Sequence, residues 1–348
     1  MILNLVFLGK RGAGSEFLRG GARFAIKHNV DLNIFYSLYN KDVNLEEFLV
    51  NKFPIPIPHS LSDIFWHPIR LSRNIWKIRK VLGLDSSINI FLLPSPFDWT
   101  LYVLNKKNNS WYFIIHDLKA HLGEFWPRKK SIAWRVKASK KIITLSDYVA
   151  REIKLCNSGR TVVTIPHPVF KFNNDSENCN LNLPSKYLLF IGRIKAYKGL
   201  DVLLEAMKKF DSVTLLIAGE GVVPINQPKN VFVLNEWLSE NQISYLMKNS
   251  LCIVFPYREA SQSGLLPLAM SLKKKIVATD VGALAEQLGT YTLKYLARPS
   301  DIESLSEAIK MALLDSTEST FNELEEELAG ESNTVEMFFQ ELLKVTLN

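Results

Sequence analysis

Short apolar runs alternate along this chain with longer segments in which apolar residues recur every three or four positions. An uninterrupted short run is typical of a strand buried on both faces, and the helical spacing is typical of an amphipathic helix. Strands are predicted at Ile2–Leu8, Asp31–Tyr36, Ile88–Leu93, Trp111–Ile115, Lys141–Thr144, Val162–Ile165, Leu188–Ile191, Val213–Ala218, Val231–Leu234, Leu251–Phe255 and Ile276–Ala278. Because strands and helices alternate, the pattern predicts doubly wound parallel sheets of the α/β class.

The chain is long enough for two domains, since it has 348 residues of which 47% are hydrophobic. A stretch rich in Asn, Asp and Ser without periodicity predicts a linker at 171–184, between a domain at 1–170 and another at 185–330. A last helix is predicted at Val335–Leu347, within 331–348. Ligands of such sheets bind at the carboxyl ends of the strands, so two facing domains predict a site in the cleft between them.

Cysteine usage and hydropathy restrict the class of protein. The three cysteines form no Cys-x-x-Cys pair, so they indicate neither a disulfide framework nor a zinc site, and they fit a reducing cytoplasm. The apolar start of the chain is too short for a signal peptide and is interpreted as the first strand. No run is long enough to span a membrane, and the cysteine usage leads us to expect a cytoplasmic protein.

Positive charge is concentrated in the first half. Residues 1–170 carry 25 Lys and Arg against 12 Asp and Glu, net +13, and the remaining residues carry 17 against 23, net −6. Within Pro68–Leu84, apolar and basic residues fall on two different helical faces. This segment is either a domain helix packed on the sheet, the favoured interpretation, or a helix that inserts into lipid. Both leave a positive face for an anionic membrane surface, and no motif indicates nucleic acid.

The stretch Leu188–Gly199 carries the strongest chemical signal in the chain. An apolar strand ends at Gly192, and Arg193 and Lys198 follow directly, beside the predicted start of a helix at Leu200–Phe210. A glycine allows a tight turn, and an arginine fork, a lysine and a helix N-terminus together suit a diphosphate. The alternative is that both cations are ordinary surface charges of a loop.

The glycine-rich loop after the first strand lacks two common nucleotide motifs. It does not end in the Gly-Lys-Ser/Thr of an ATP-binding loop, and Phe17 stands where the dinucleotide pattern begun by Gly12 and Gly14 requires a third glycine. We expect the segment from Gly12 to Ser15 to line the site, with an ordinary tight turn as the alternative.

Four motifs in order carry a resemblance to a known family: Gly192–Gly199, Leu215–Gly221, Val254–Ala260 and Ala269–Glu286. They resemble the C-terminal half of the GT-B, family-4-type retaining glycosyltransferases, also called glycosyl transferases group 1. The resemblance implies two Rossmann-like domains, a nucleotide-sugar donor bound by the second domain, and a glycan or lipid-linked acceptor bound by the first. It also implies same-face sugar transfer, in bacterial surface polysaccharide synthesis such as lipopolysaccharide or capsule. Because Arg193 and Lys198 would take the place of a divalent ion, we expect no metal or cofactor, and the basic first half leads us to expect a peripheral contact at the cytoplasmic membrane.

Catalytic roles are implied for four residues by the resemblance. Arg193 and Lys198 would stabilise the leaving diphosphate, and His116 and Glu259 would orient the donor sugar. His116 follows an apolar strand, with Asp117 next to it, although a lone histidine is more often structural. The donor-binding residues would be Gly12, Gly14, Gly192, Arg193, Lys198, Glu259, Ser261, Gln262, Ser263, Gly264 and Leu265.

The acidic motif departs from the family pattern. The family has a second glutamate eight positions after the first, and here Pro267 or Leu268 occupies that place. No carboxylate occurs between residues 260 and 279, so ribose recognition by an acid is in doubt, while the Ser-Gln-Ser segment after Glu259 still offers groups for phosphate or hydroxyls. Two alternatives stay open: a GT-B-fold sugar-nucleotide epimerase, and a non-catalytic subunit that binds nucleotide-sugar.

Overall fold

The computed structural model describes most of the chain and divides it into two compact units. The described residues are 2–57, 78–83, 87–95, 97–104, 111–117, 127–156, 159–170, 181, 183–225, 227–316 and 334–347. One unit comprises Met1–Ala120, Phe125–Pro168 and Asn333–Asn348, and the other comprises His121–Glu124 and Val169–Ser332. The C-terminal residues therefore belong to the same unit as the N-terminal sheet.

The first unit is built on a seven-stranded parallel sheet in the order β3-β2-β1-β4-β5-β6-β7. Its strands are β1 Ile2–Phe7, β2 Asp31–Ser37, β3 Asn51–Ile55, β4 Ser87–Phe91, β5 Trp111–Ile115, β6 Ile142–Thr144 and β7 Val162–Thr164. Its helices are α1 Gly14–His28, α2 Asp98–Leu104, α3 Pro127–Ala138, α4 Asp147–Cys156 and α10 Val335–Leu347.

The second unit repeats the architecture with a six-stranded parallel sheet in the order β10-β9-β8-β11-β12-β13. Its strands are β8 Tyr187–Ile191, β9 Thr214–Ala218, β10 Val231–Leu234, β11 Cys252–Phe255, β12 Ile276–Thr279 and β13 Lys294–Ala297. Its helices are α5 Leu200–Met207, α6 Glu240–Asn249, α7 Leu265–Ser271, α8 Leu284–Leu288 and α9 Ile302–Leu314. Two hydrophobic clusters form its core. The prediction of two doubly wound, Rossmann-like domains is confirmed.

A row of asparagines crosses the first sheet. Asn51, Asn33, Asn4 and Asn89 lie side by side on β3, β2, β1 and β4, each in register with the next. Each amide nitrogen donates to the oxygen of the next asparagine, at 2.9, 2.8 and 2.7 Å, and Asn89 donates to the carbonyl of Leu82 at 3.3 Å. The row therefore runs from the sheet edge to the end of the helical turn at 78–82 and satisfies buried amides that would otherwise be costly.

Close helix contact holds the C-terminal helix in the first unit. A Cβ built on Gly20 would lie 2.2 Å from a methyl of Val335, so only glycine allows α1 and α10 to approach this closely. The ring of Phe24 stacks on Phe339, and the hydroxyl of Tyr112 donates to the carbonyl of Thr346 at 2.8 Å.

Some elements differ from those predicted. Strands β3 and β13 were not predicted, because β3 contains a proline and both are short edge strands, which tolerate proline and polar residues. The helix after Lys198 ends at Met207 rather than Phe210, because the N–H groups of the next three residues bond to carbonyls three residues back instead of four. Most of the predicted linker at 171–184 lies outside the described residues.

The predicted basic helix at Pro68–Leu84 also lies mostly outside the described residues. In its described part, Ile78 and Leu82 are buried in the core of the first unit, and Lys80 is exposed. At these positions the apolar face packs inside the unit, as the domain-helix interpretation requires.

Candidate functional site

A glycine turn at the end of β8 begins the candidate site in the second unit. Gly192 has a φ of +110°, and its N–H donates to the carbonyl of Ala218 at 2.9 Å. A Cβ built on Gly219 would lie 2.2 Å from the carbonyl oxygen of Gly192. The two strand ends therefore touch backbone to backbone, which leaves no room for a side chain on Gly219, while the positive φ of Gly192 favours glycine at that position.

Lys198 folds back onto this turn. It ends a short 3-10 helix, Ala196–Lys198, and Gly199 then takes a left-handed φ of +65°. A Cβ on Gly199 would lie only 2.0 Å from the carbonyl oxygen of Pro256, so no other residue fits without a backbone shift. The lysine amine in turn reaches Gly192, where a built Cβ would be 2.9 Å from Nζ.

Lys198 is a buried cation, although its motif is polar. Its exposed fraction is 9%, and Nζ lies 4.9 Å from the ring centroid of Tyr257, in the range of a cation–π contact. Burial, reinforced by the charge of Arg193, lowers the pKa of Lys198 to about 8 against a partly opposing effect of Tyr197. Within the described residues neither Arg193 nor Lys198 forms an ion pair with a carboxylate. Two adjacent cations without an acid suit an anionic ligand.

Arg258 connects the loop after β11 to the segment around the short 3-10 helix Ala196–Lys198. Its N–H donates to the carbonyl of Tyr197 at 2.7 Å, and its guanidinium pairs with Asp201 at 2.5 Å. The predicted Glu259 follows it and is half-buried. The structure thus brings Glu259 into the loop that packs beside Lys198.

The segment after Glu259 is fixed by the loop that follows β12. A Cβ built on Gly282 would lie 1.5 Å from the carbonyl oxygen of Ala260, and the N–H of Ser263 donates to Oε1 of Gln287 at 2.8 Å. Of the predicted donor-binding residues, Ser261 and Ser263 are buried, Gln262 and Leu265 are half-buried, and Gly264 is exposed. The amide oxygen of Gln262 is buried without a hydrogen-bond partner in the described structure.

The glycine-rich loop of the first unit is held internally. The N–H of Gly12 donates to the carboxylate of Asp42 at 2.8 Å, and the hydroxyl of Ser15 donates to Asn40 at 3.2 Å. A Cβ on Gly14 would lie 2.4 Å from the ring of Phe7, so packing alone accounts for this glycine. The Gly12 N–H already donates to the carboxylate of Asp42, so an anionic ligand could bind this N–H only by sharing it with Asp42.

His116 stands at the carboxyl end of β5, as predicted. Its Nε2 lies 3.2 Å from the carboxylate of Asp117, and its Nδ1 is buried without a hydrogen-bond partner in the part of the chain described. His167 lies nearby, with its ring edge-on to Phe17 at 5.6 Å, and burial lowers its pKa to about 4. His167 is therefore neutral at physiological pH, and its Nδ1 lies 2.8 Å from the carbonyl oxygen of Pro168.

Sequence reasoning missed two residues of these sites. Tyr257 supplies the ring against Lys198, and Asp42 closes the glycine loop. The sequence signals for Tyr257 were an aromatic residue two positions after a buried strand and its place within the motif Val254–Ala260. Across the described residues, no group of three or more His, Cys, Asp or Glu side chains is arranged to hold a metal ion.

A family model matches most of the second unit, and a curated relative matches about half of the chain. Residues 185–315 match the family model of glycosyl transferases group 1. A curated relative, the GDP-mannose:glycolipid 4-beta-D-mannosyltransferase of Xanthomonas campestris pv. campestris, is 23% identical over 189 residues. The match covers 50% of this chain and 52% of the relative, so the chain spans about half the length of the curated relative that it matches.

Solved structures match over nearly the whole chain. A glycosyltransferase from Rickettsia africae ESF-5 has a TM-score of 0.73 at 16% identity, covering 99% of this chain and 97% of that one. HepE of Anabaena, solved with UDP and glucose, has a TM-score of 0.71 at 12% identity, covering 99% of both chains. The fold is therefore that of the GT-B glycosyltransferase structures, and the family match in the second unit supports a glycosyltransferase of group 1 type.

Proposed function

We propose that this protein is a retaining glycosyltransferase of the family-4 type. It moves a sugar from a nucleoside-diphosphate-sugar to a hydroxyl of a glycan or lipid-linked acceptor in bacterial surface polysaccharide synthesis. The observation that carries the proposal is the pair Arg193 and Lys198, which follow the Gly192 turn inside the region that matches the family model and have no carboxylate partner among the described residues.

The two cations act on the leaving group. When the bond between the sugar and the diphosphate breaks, negative charge grows on the diphosphate oxygen. Preorganised cations at that position stabilise the transition state more than the ground state. Burial strengthens the effect of Lys198, because its field is less screened by water.

Glu259 and His116 orient the sugar ring in this proposal. The acceptor hydroxyl attacks the face that the diphosphate leaves, and the departing phosphate oxygen takes its proton, so no separate base is needed. The support for Glu259 is its place in the loop beside Lys198, and the support for His116 is its buried ring nitrogen at a strand's carboxyl end.

The stereochemical part has a direct test. Retention requires that the product linkage have the same anomeric configuration as the donor. The mannosyltransferase relative is named for a beta linkage, so the configuration must be measured for this protein. NMR of the first product decides it, and inversion would refute the retaining mechanism while leaving transfer intact.

Metal independence is a second part of the proposal. The two cations neutralise the charge that a divalent ion would otherwise take. We expect EDTA to leave the transfer rate nearly unchanged. A loss of activity that magnesium or manganese restores would contradict this part.

Contact with an anionic membrane surface is the third part. Its support is the net charge of +13 on residues 1–170 and the exposed Lys80. None of the described helices combines the length and apolar character needed to cross a bilayer. We expect salt-sensitive binding to vesicles containing anionic lipid, weakened by Arg73→Glu, Lys77→Glu and Lys80→Glu together without change in nucleotide affinity. Absence of vesicle binding at low salt would remove this part.

A donor screen tests the central proposal. Thermal shift against UDP-, GDP-, ADP- and dTDP-sugars identifies the donor, since a ligand of the folded state raises its apparent stability. Incubation with that donor and lipid-linked or glycan acceptors should then give a glycosylated product. Conversion of the donor sugar without acceptor would indicate an epimerase, and binding without any turnover would indicate a non-catalytic subunit.

A further inference from the structure

The amine of Lys198 lies against an aromatic ring and a backbone turn. Its Nζ is 4.9 Å from the ring centroid of Tyr257. A Cβ built on Gly192 would lie 2.9 Å from the same Nζ, so the amine also lies close to the turn that ends β8. The side chain is buried, and these contacts therefore define where its positive charge is held.

The ring of Tyr257 is itself held in place. The residue is buried, and its carbonyl accepts a hydrogen bond from the hydroxyl of Thr279 at 2.5 Å. Its ring packs edge-on against Phe255 at 5.8 Å and against Tyr197, the residue before Lys198, at 6.2 Å. The ring therefore has a defined position before any ligand binds.

An aromatic face stabilises a buried cation without neutralising it. A carboxylate in the same place would also favour the ammonium, but its negative charge would repel an anionic ligand. The ring of Tyr257 attracts the cation through its quadrupole and carries no net charge. Burial raises the pKa of the Tyr257 hydroxyl, so the side chain stays neutral at physiological pH. The charge of Lys198 thus remains available to a diphosphate.

We propose that Tyr257 is a positioning residue, whose ring keeps the amine of Lys198 charged and directed at the diphosphate of the donor. This inference rests on the proposed function, because it takes the ligand of Arg193 and Lys198 to be a nucleoside-diphosphate-sugar. Tyr257 acts through Lys198, so its loss should change how nucleotide affinity depends on pH. The loss of a side chain that only fills space would not do so.

The ionisation of Lys198 provides this readout. Burial and the charge of Arg193 lower the pKa of Lys198 to about 8, whereas Tyr197 favours the charged form. Leu265 of α7, which also reaches the turn at the end of β8, is apolar. Without the Tyr257 ring the charged form loses a favourable contact, which should lower the pKa of Lys198 by a further step of about half a pH unit.

The test compares nucleotide affinity at pH 6.5 and 8.5. The probe is the nucleoside diphosphate that binds wild type among UDP, GDP, ADP and dTDP, and calorimetry measures its dissociation constant. At pH 6.5 Lys198 is charged in all proteins, and we expect Tyr257→Leu to bind about three- to tenfold more weakly, because the lysine must then be immobilised on binding. At pH 8.5 this loss should be about two- to threefold larger, since less of the variant carries the charge. Titration of the probe itself is common to all proteins and cancels.

Two further variants of Tyr257 separate the ring from the rest of the side chain. Tyr257→Phe keeps the aromatic face and should bind within about twofold of wild type at both pH values. A trifluorinated phenylalanine incorporated at position 257 keeps the shape of the ring but weakens its negative face, so it should bind nucleotide more weakly than Tyr257→Phe. This comparison decides the question even if Tyr257→Leu does not fold.

Tyr187→Leu is the matched control. Tyr187 is a buried tyrosine of the same hydrophobic cluster, but it is the first residue of β8, at the opposite end of the strand from the cations. Its substitution should lower stability and leave nucleotide affinity within about twofold of wild type at both pH values.

Three results would overturn the inference. If the Leu and fluorinated variants bind nucleotide as tightly as wild type, the ring only fills space. If Tyr257→Phe loses as much affinity as Tyr257→Leu, the hydroxyl acts and the ring does not. If the loss in Tyr257→Leu is no larger at pH 8.5 than at pH 6.5, the ring does not keep Lys198 charged. In each case a wild type that binds nucleotide and transfers sugar leaves the proposed function standing, whereas a wild type that binds none of the four probes refutes both.

Discussion

Replacing Lys198 by methionine should stabilise the ligand-free protein and weaken nucleotide binding at the same time. Lowering the lysine pKa from 10.5 to about 8 corresponds to about 3 kcal/mol of cost for keeping the charge in the folded state. The substitution also removes the cation–π contact with Tyr257, worth about 0.5–1 kcal/mol. Methionine fills a similar volume, so we expect a net gain of about 2 kcal/mol in unfolding free energy at pH 7.

This gain should depend on pH in a defined direction. At pH 7 Lys198 is charged in both folded and unfolded protein, so the full cost applies. Between pH 8 and 10.5 the folded state loses its proton first, and the stability of wild type rises toward that of the variant. The advantage of Lys198→Met should therefore shrink as the pH rises through this window.

Nucleotide affinity should move the other way. Removing one charge-assisted contact to the diphosphate is expected to weaken binding by about 1.5–3 kcal/mol, which is on the order of 10- to 100-fold. Urea unfolding at pH 7 and 9.5 without ligand measures the first effect, and calorimetry with UDP and GDP measures the second.

Lys195→Met is the control for this experiment. Lys195 is an exposed lysine three residues earlier in the same loop, and its substitution should change stability by less than about 0.5 kcal/mol. A Lys198→Met protein that is less stable than wild type at pH 7 and binds nucleotide equally well would refute the reasoning, because Lys198 would then be structural.

Three further predictions concern the frame of the sites. The unfolding free energy of wild type should fall from pH 6.5 to 4, because the folded His167, with its pKa lowered to about 4, binds fewer protons than the unfolded one, and His167→Asn should flatten this fall by up to about 1.4 kcal/mol per pH unit. Burial raises the pKa of Asp98 to about 6, which has the opposite effect on stability, but this effect is the same in both proteins and cancels in the comparison. Equal slopes in urea titrations of the two proteins would contradict the prediction. Gly282→Ala should lower the unfolding free energy by more than about 3 kcal/mol, because its Cβ would lie 1.5 Å from a carbonyl oxygen. Gly159→Ala, where nothing lies within 4 Å of the Cβ, should lower it by about 1 kcal/mol through its positive φ alone. Similar losses of unfolding free energy in both variants would show that only the backbone angle matters. Asn4→Leu removes one hydrogen-bond partner from each of two buried asparagines, Asn33 and Asn89, and should cost about 2–4 kcal/mol in urea unfolding. Asn51→Leu at the exposed edge should cost less than about 1 kcal/mol, and comparable values for the two variants would argue against the row as a stabilising network.

The position of Arg193 and Lys198 after a buried strand was visible in the sequence, because a strand that ends at a glycine fixes where its next residues emerge. The sequence did not indicate that Lys198 is buried whereas Arg193 is exposed. Lys198 is buried because Tyr257, 59 residues later, and a left-handed Gly199 close over it. A contact between distant segments depends on which strands become neighbours, and a local pattern does not specify that.

By itself, the sequence determined the class of each unit, most strand positions and the two cations of the candidate site. The period of apolar residues fixes which face of a strand is buried, but a slip of two residues along a neighbouring strand keeps the same face. Only the tertiary structure decided the register that aligns Asn4 with Asn33 and Asn89, and the approach of Gly282 to Ala260 that holds Gln262 in place. These features arise from pairs of segments far apart in the chain, so they exist only once both sheets have formed.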